Sequence, residues 1–253
     1  MSRVKRSLAC LALALVGWSA YGQSSRWFDP NDLDTTIVLN DKFELQFTPT
    51  DSIFIEEYIL ENRIIDSLTK SFNNRHREAL AIENRMIDQF EGKAKRIDGT
   101  LNLLLKDGRW KKLVANPSTD EADHTFEYFF KEFGYYSVRV QWGEGNGYKL
   151  INHSTDEITN LFGRPYFSEN GQYVISVNVD LAARYSNNGF QLLENKNNAL
   201  VLLGSYEPDA WGPISAKWIE KNKLVLKSET IESAKGGFSY LHFYTLVELK
   251  GIQ

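Results

Sequence analysis

The chain has 253 residues, 42% of them hydrophobic and 13% aromatic, and its 33 acidic against 29 basic side chains give a formal charge of -4. An acidic chain is a poor partner for nucleic acid or an anionic lipid surface. Its one cysteine excludes an internal disulfide and a thiolate metal site.

The first residues read as an export signal. Arg3, Lys5 and Arg6 precede an apolar run over residues 8–16, and Ala20-Tyr21-Gly22 offers the small residues a signal peptidase reads. The expectation is a signal peptide over 1–22, cleaved near Gly22/Gln23, and a secreted or periplasmic mature chain. The run is too short to span a bilayer, and no later segment approaches the roughly 20 apolar residues of a transmembrane helix. Cys10 lies at the start of the apolar run, whereas a lipidated cysteine would sit at its end. Cleavage removes three cations and no carboxylate, which takes the formal charge from -4 down by three to -7. An exported chain without cysteine suits a bacterial envelope and must be held by a packed core, which about 230 residues can supply.

Residues 23–98 form an N-terminal segment. An acidic opening, Asp29-Pro30-Asn31-Asp32-Leu33-Asp34, leads to short strand candidates at 37–39 and 43–47. A long or interrupted helix follows over 52–90, where there is no Pro or Gly and Ile64, Ile65, Leu68 and Phe72, then Leu80, Ile82, Met86, Ile87 and Phe90, recur at helical spacing. Asp51-Ser52 can cap its start, Asn73-Asn74-Arg75-His76-Arg77 can divide it, and Gly92 can end it.

From Gly99 the period becomes that of β-structure, and residues 99–253 read as an antiparallel β domain with two to three blade-like repeats. Two runs, 101–105 and 110–114, flank Asp107-Gly108, a strong hairpin signal. Strands are expected at 126–130 and 135–142. A sequence of strand, turn, strand, turn, strand then occurs twice, at 148–175 and at 190–226, an offset of about 42 to 51 residues, the length of one four-stranded propeller blade. The last strands are placed at 238–243 and 246–249. About two and a half such units fit after Gly99, whereas a closed ring typically has at least four. The expected fold is therefore α+β and mainly β, with an N-terminal helical segment followed by antiparallel blade-like β-meanders in an incomplete propeller or sandwich.

Phe167-Ser168-Glu169-Asn170-Gly171-Gln172-Tyr173 resembles the F-S-x-D-G turn of TolB-type and WD40-like propeller blades, with Asn170 where aspartate is usual. The run 185–192, with Asp209-Ala210-Trp211-Gly212-Pro213, resembles a group of uncharacterised exported bacterial proteins. The resemblance covers roughly residues 101–249. It implies location and fold, and it transfers no catalytic residue.

Several patterns with chemical meaning reduce to local structure. Ser67-Leu68-Thr69-Lys70 matches the S-x-x-K of penicillin-recognising enzymes, but no S-D-N or K-T-G follows. Gly143-Glu144-Gly145-Asn146-Gly147 joins two strands, so no helix N-terminus faces a phosphate. His76, His124, His153 and His242 have no zinc spacing. The acidic loops at 29–34 and 120–123 offer oxygen donors to calcium, yet Leu33 and Asp34 occupy positions where an EF-hand needs a ligand and a glycine. No metal or cofactor is implied.

The aromatics are the least ordinary feature. Consecutive rings in strands, Phe129-Phe130 and Tyr135-Tyr136, point to opposite faces. If one face is open, Tyr136, Trp142, Tyr185 and Trp211 form a platform for sugar or protein. The resulting expectation is a non-catalytic exported binding or scaffolding protein with a protein partner in the envelope. The alternative is a carbohydrate-acting or other hydrolase, with Asp180, Glu207 and Asp209 converging near Trp211.

Overall fold

Tyr173-Val174-Ile175-Ser176-Val177 is buried at every position, which a strand tolerates only where both faces of its sheet are covered. That requirement sets the architecture. The structure, a computed structural model, describes residues 28–52, 75–234 and 237–252. The signal segment, the first part of the expected helix and Ser67–Lys70 lie outside them.

Four antiparallel sheets follow one another along the chain. Sheet I comprises β3 (Ala94–Ile97), β4 (Thr100–Leu104) and β5 (Trp110–Leu113). Sheet II comprises β6 (Glu121–Phe130), β7 (Tyr135–Trp142), β8 (Gly145–Asn152) and β9 (Ile158–Leu161). Sheet III comprises β10 (Arg164–Phe167), β11 (Tyr173–Asn178), β12 (Gly189–Lys196) and β13 (Ala199–Tyr206). Sheet IV takes β14 (Trp211–Glu220), β15 (Lys223–Ala234) and β16 (Gly237–Gly251), then β2 (Phe43–Pro49) and β1 (Thr36–Asn40) from the other end of the described chain. Leu45 of β2 stands opposite Leu249 of β16, so strands from the two ends of the described chain share one sheet. The protein is mainly β with a single described α-helix, α1 (Arg75–Gln89), which precedes sheet I.

The repeat seen in the sequence has a definite phase. In both copies, the first two strands are the last two of one sheet (β8 and β9, then β12 and β13), and the third segment opens the next sheet. Asp107-Gly108 does turn the chain from β4 to β5, with Gly108 at φ 87°, a conformation costly for a side-chain-bearing residue. In the Phe167–Tyr173 stretch, Ser168 Oγ accepts the Tyr173 N–H at 2.9 Å and donates to Asn170 Oδ1 at 3.0 Å. Asn170 Oδ1 also accepts the Gln172 N–H at 3.1 Å. Asparagine therefore supplies the acceptor that aspartate would, and the motif is a turn and nothing more.

Alternation then feeds each middle sheet into two cores. Tyr136 and Val138 of β7 pack with Phe126, Leu101, Leu103 and the α1 residues Ile82 and Met86. Tyr135, on the opposite face, packs with Val174 and Leu193 of sheet III. Ile175 and Val177, facing away from Val174, join Leu45, Phe47, Trp211 and Val247 of sheet IV. Each fully buried aliphatic or aromatic side chain contributes about 1.5–3 kcal/mol, and the continuous apolar strands arise because neither face is wet.

Buried polar groups tie the layers together. Glu127 of β6 accepts from Arg164 of β10 at 2.7 and 3.1 Å and from the Tyr148 hydroxyl at 2.9 Å, which joins sheets II and III. Glu83 of α1 is 1% exposed; it accepts the Phe126 N–H at 2.8 Å and pairs with Arg96 of β3. Arg96 donates in turn to Asp123 Oδ1 at 3.1 Å and to the His124 carbonyl at 2.7 Å.

His124 is buried, with Nε2 lying 3.1 Å from Lys149 Nζ and 3.2 Å from Glu121 Oε2. Burial first, and the Lys149 ammonium second, hold its imidazole below the ordinary histidine value against the pull of Glu121. A folded value below the unfolded one means that protonation favours unfolding. His124 therefore adds its full share of stability above about pH 6.5 and loses it as the pH falls through the lower folded value. Denaturant midpoints of wild type and His124→Gln across pH 5–8 should converge or cross toward the acid end; curves that stay parallel would contradict this.

Candidate binding cleft

Antiparallel reversal sends alternate connections to opposite ends of the stack, and the two ends differ. At one end, turn bonds turn. The His153 N–H donates to Gly134 O at 2.8 Å, and the Lys106 N–H to His153 O at 2.9 Å. Asn152 Nδ2 donates to Asn198 O at 2.7 Å, and Asn195 Nδ2 to Gly171 O at 3.1 Å. Two of these bonds close turns within sheets II and III, and the other two, Lys106 to His153 and Asn152 to Asn198, tie sheet I to II and sheet II to III.

At the other end the β11–β12 connection, residues 179–188, runs to ten residues between Asn178 and Gly189, while β12 and β13 are joined by only Asn197-Asn198. Hairpin loops usually need two to five, and the surplus is spent on shape. Asp180 organises it. Its Oδ1 accepts the Ala183 and Arg184 N–H groups at 3.2 and 2.9 Å, and its Oδ2 accepts those of Tyr185 and Ser186 at 2.7 and 2.8 Å. An aspartate that collects the amides following it is a local alternative to strand pairing, and here it curls the loop and presents Tyr185, 60% exposed.

The loop is anchored to its neighbours. Asn188 accepts the Asp180 N–H at 3.2 Å and donates to the carbonyls of Pro208 and Trp211 at 2.5 and 2.8 Å, linking it to the β13–β14 connection. Ser186 Oγ accepts the Asn146 N–H at 2.9 Å from the start of β8. A Cβ on Gly212 would lie 2.2 Å from Asn188 Oδ1, so a side chain there would displace the Asn188 amide from the bonds that join the two segments. Two adjoining cavities of about 410 and 400 Å³ open beside the loop. Trp142, Arg184, Glu207 and Asp209 line the first, and Glu144, Asn146, Glu229 and Tyr240 line the second. Asp180, Leu181, Tyr185 and Ser186 line both.

Beyond the cleft the β15–β16 hairpin projects. Pairing to β14 stops at Trp211 opposite Thr230, and pairing to β2 stops at Pro49 opposite Thr245, whereas β15 and β16 continue to Ala234 opposite Gly237. Tyr240 and Leu241 on this ribbon are 54% and 42% exposed.

The expected platform divides in this geometry. Tyr185 and Trp142 line one cavity. Trp211 and Tyr136 are instead core residues, 3% and 0% exposed, because the Trp211 face of sheet IV packs on sheet III and the Tyr136 face of sheet II packs on sheet I and α1; neither ring is presented to a ligand. Asp180, Glu207 and Asp209 line the same cavity, but Asp180 spends both oxygens on the loop amides. Glu207 accepts from Asn187 Nδ2 at 3.2 Å. Glu144, Asn146, Arg184 and Tyr240 were not singled out as binding residues from the sequence. The length of the loop between two strong strands points to Arg184 alone; Glu144, Asn146 and Tyr240 reach the cleft from other connections and strands.

Three of the six carboxylates in the loops considered for calcium are otherwise engaged: Glu121 with Lys149 at 2.6 Å, Asp123 with Arg96, and Asp34 with the Tyr206 hydroxyl at 3.2 Å. Among the described residues no group of three His, Cys, Asp or Glu side chains is placed to hold a metal ion. None of the described helices is long and apolar enough to cross a membrane.

Replacing Asp180 by alanine removes the acceptor of four amides. The expected cost is about 1–2 kcal/mol, since these bonds are near solvent, together with a rise of about tenfold or more in hydrogen exchange at Ala183 to Ser186. Unchanged protection there would mean that the loop is held by other contacts.

The described residues thus form a stack of antiparallel β-meanders with a loop-built cleft at one end. No family model matches the chain, and no curated protein does. Among solved structures it is similar to TolB from Acinetobacter baumannii, at 13% identity and a TM-score of 0.26, over 62% of this chain and 41% of that one. The match therefore spans less than half of that protein's length.

Proposed function

We propose that this protein is an exported, non-catalytic binding or scaffolding protein of a bacterial cell envelope that holds a protein partner at the loop end of its β-stack. The observation that carries the reading is the difference between the two ends. One end is closed by hydrogen bonds between turns, and the other keeps an open cleft whose walls are fixed by Asp180 and Asn188 before any ligand arrives. Preorganised loops on a rigid scaffold reduce the ordering cost of association. Export rests on Arg3, Lys5, Arg6, the apolar run and Ala20-Tyr21-Gly22.

The test is affinity co-purification from the envelope fraction of the native host, with N-terminal sequencing of the recovered chain. The expected result is a start at Gln23 and a stoichiometric partner that is lost with Tyr185→Ala. A cytoplasmic full-length chain would remove the export part, and recovery of no partner would remove the scaffolding part.

A hydrolase is the second reading, favoured by the one cavity that Asp180, Glu207 and Asp209 share with Trp142 and Tyr185. Release of reducing ends from envelope glycans, abolished by Glu207→Gln or Asp209→Asn, would establish it. The commitment of Asp180 to four backbone amides leaves Glu207 and Asp209 as the pair available for acid–base work.

A further inference from the structure

We infer that the two cavities form one groove for a basic, extended peptide segment, so that the partner offers lysine or arginine side chains to this end of the protein; the inference rests on the binding role proposed above. The cavities share the residues of the Asp180 loop, so a ligand crossing that loop touches both. Their charged lining is one-sided: Glu207, Asp209 and Asp180 against Arg184 in the first, and Glu144, Glu229 and Asp180 with no cation in the second. Asp180 is already bonded to the loop, and Glu229 lies 3.4 Å from His242 Nε2. Glu144, Glu207 and Asp209 remain to set the field at the mouth.

Aromatic rings provide the second element, independent of the carboxylates. Tyr185 and Tyr240 are both more than half exposed, and Trp142 stands behind Tyr185 with its Nε1 3.5 Å from that residue's carbonyl. Rings flanked by carboxylates favour a cation over a neutral or anionic side chain, through the ring face and the charge together. The same pairing occurs elsewhere in the fold, where Lys95 Nζ lies 3.7 Å over the Trp110 ring. A long aliphatic stem ending in a cation matches a wall of tyrosine and tryptophan with acids at the rim. A phosphorylated or acidic segment would meet repulsion along both cavities.

The test uses protein purified from cells expressing the whole 253-residue chain and two fluorescent hexapeptides, Ala-Lys-Ala-Lys-Ala-Lys and Ala-Glu-Ala-Glu-Ala-Glu, followed by anisotropy. The lysine peptide should bind at least about tenfold more tightly than the glutamate peptide, less tightly as salt rises, and about tenfold more weakly to Glu207→Gln/Asp209→Asn. Glu132→Gln/Glu169→Gln, which alters turns at the sealed end, should bind as wild type does. Equal affinity for the two peptides, no binding of the lysine peptide, or indifference to the Glu207/Asp209 change would overturn the inference. Capture of the native partner separates this from failure of the binding role. A partner lost with Tyr185→Ala but indifferent to salt and to the charge variant would leave that role standing and remove the basic segment. Absence of both peptide and partner binding would remove both.

Discussion

Replacing Arg96 by methionine is expected to destabilise the fold by about 3–5 kcal/mol, because it strands a carboxylate that has almost no access to water. Glu83 is 1% exposed on α1, and burial is the main influence on its carboxyl, pushing it above the ordinary glutamate value even with Arg96 beside it. Without the guanidinium the charged form loses its compensation. The damage should also depend on pH in a stated direction. A carboxyl whose folded value is raised adds stability below its unfolded value, near pH 4.5, and loses that share as the pH rises through the folded value. The gap between wild type and Arg96→Met should therefore narrow toward acid pH, where Glu83 is protonated. Adding Glu83→Gln should restore much of the loss, since glutamine still offers an oxygen to the Phe126 N–H. Urea unfolding of the two single variants and the double variant measures this, and additive losses would show that the pair does not act as a unit.

Trp211→Ala should cost a similar 3–5 kcal/mol, the usual range for removing a large aromatic from a core. The indole lies 5.9 Å from the Phe243 ring, 6.2 Å from Tyr206 and 6.5 Å from Phe47 by ring centroids. It fills the space between sheets III and IV directly beneath the loop that Asn188 fixes to the Trp211 carbonyl. Trp211→Phe should retain most of the stability and all of the peptide binding, which separates a packing role from a contact with ligand. A large loss of binding in a stably folded Trp211→Phe would show that the indole reaches the cleft.

Much of the fold was legible because local signals agreed. Asp107-Gly108, the doubled strand-turn pattern between Tyr148 and Leu226 and the paired aromatics of β6 and β7 are all short-range features, and each lies where the pattern places it. The partnership of Leu45 with Leu249 joins residues from opposite ends of the described chain, which no periodicity encodes. Glu83, Arg96 and Asp123 likewise read as ordinary surface charges until packing brings them together. Trp211 shows a different difficulty. Alternation tells which residues share a face, and it does not tell whether that face is covered. Trp211 sits on the face of sheet IV that packs on sheet III, so aromatic content overstates the binding surface. Asp180, Glu207 and Asp209 share one cavity that Trp211, their expected neighbour, does not line, and the four amides bonded by Asp180 follow only from the backbone path of residues 180–186.

The account turns on which end of the stack meets a partner, and site-specific photocrosslinking in the native host measures that directly. A benzophenone amino acid in place of Tyr185 should give a discrete adduct with a second envelope protein, and the same group in place of Glu169, in the sealed turn, should give none. Adducts from position 169 alone, or equally from both positions, would contradict the assignment of the loop-end cleft as the binding site.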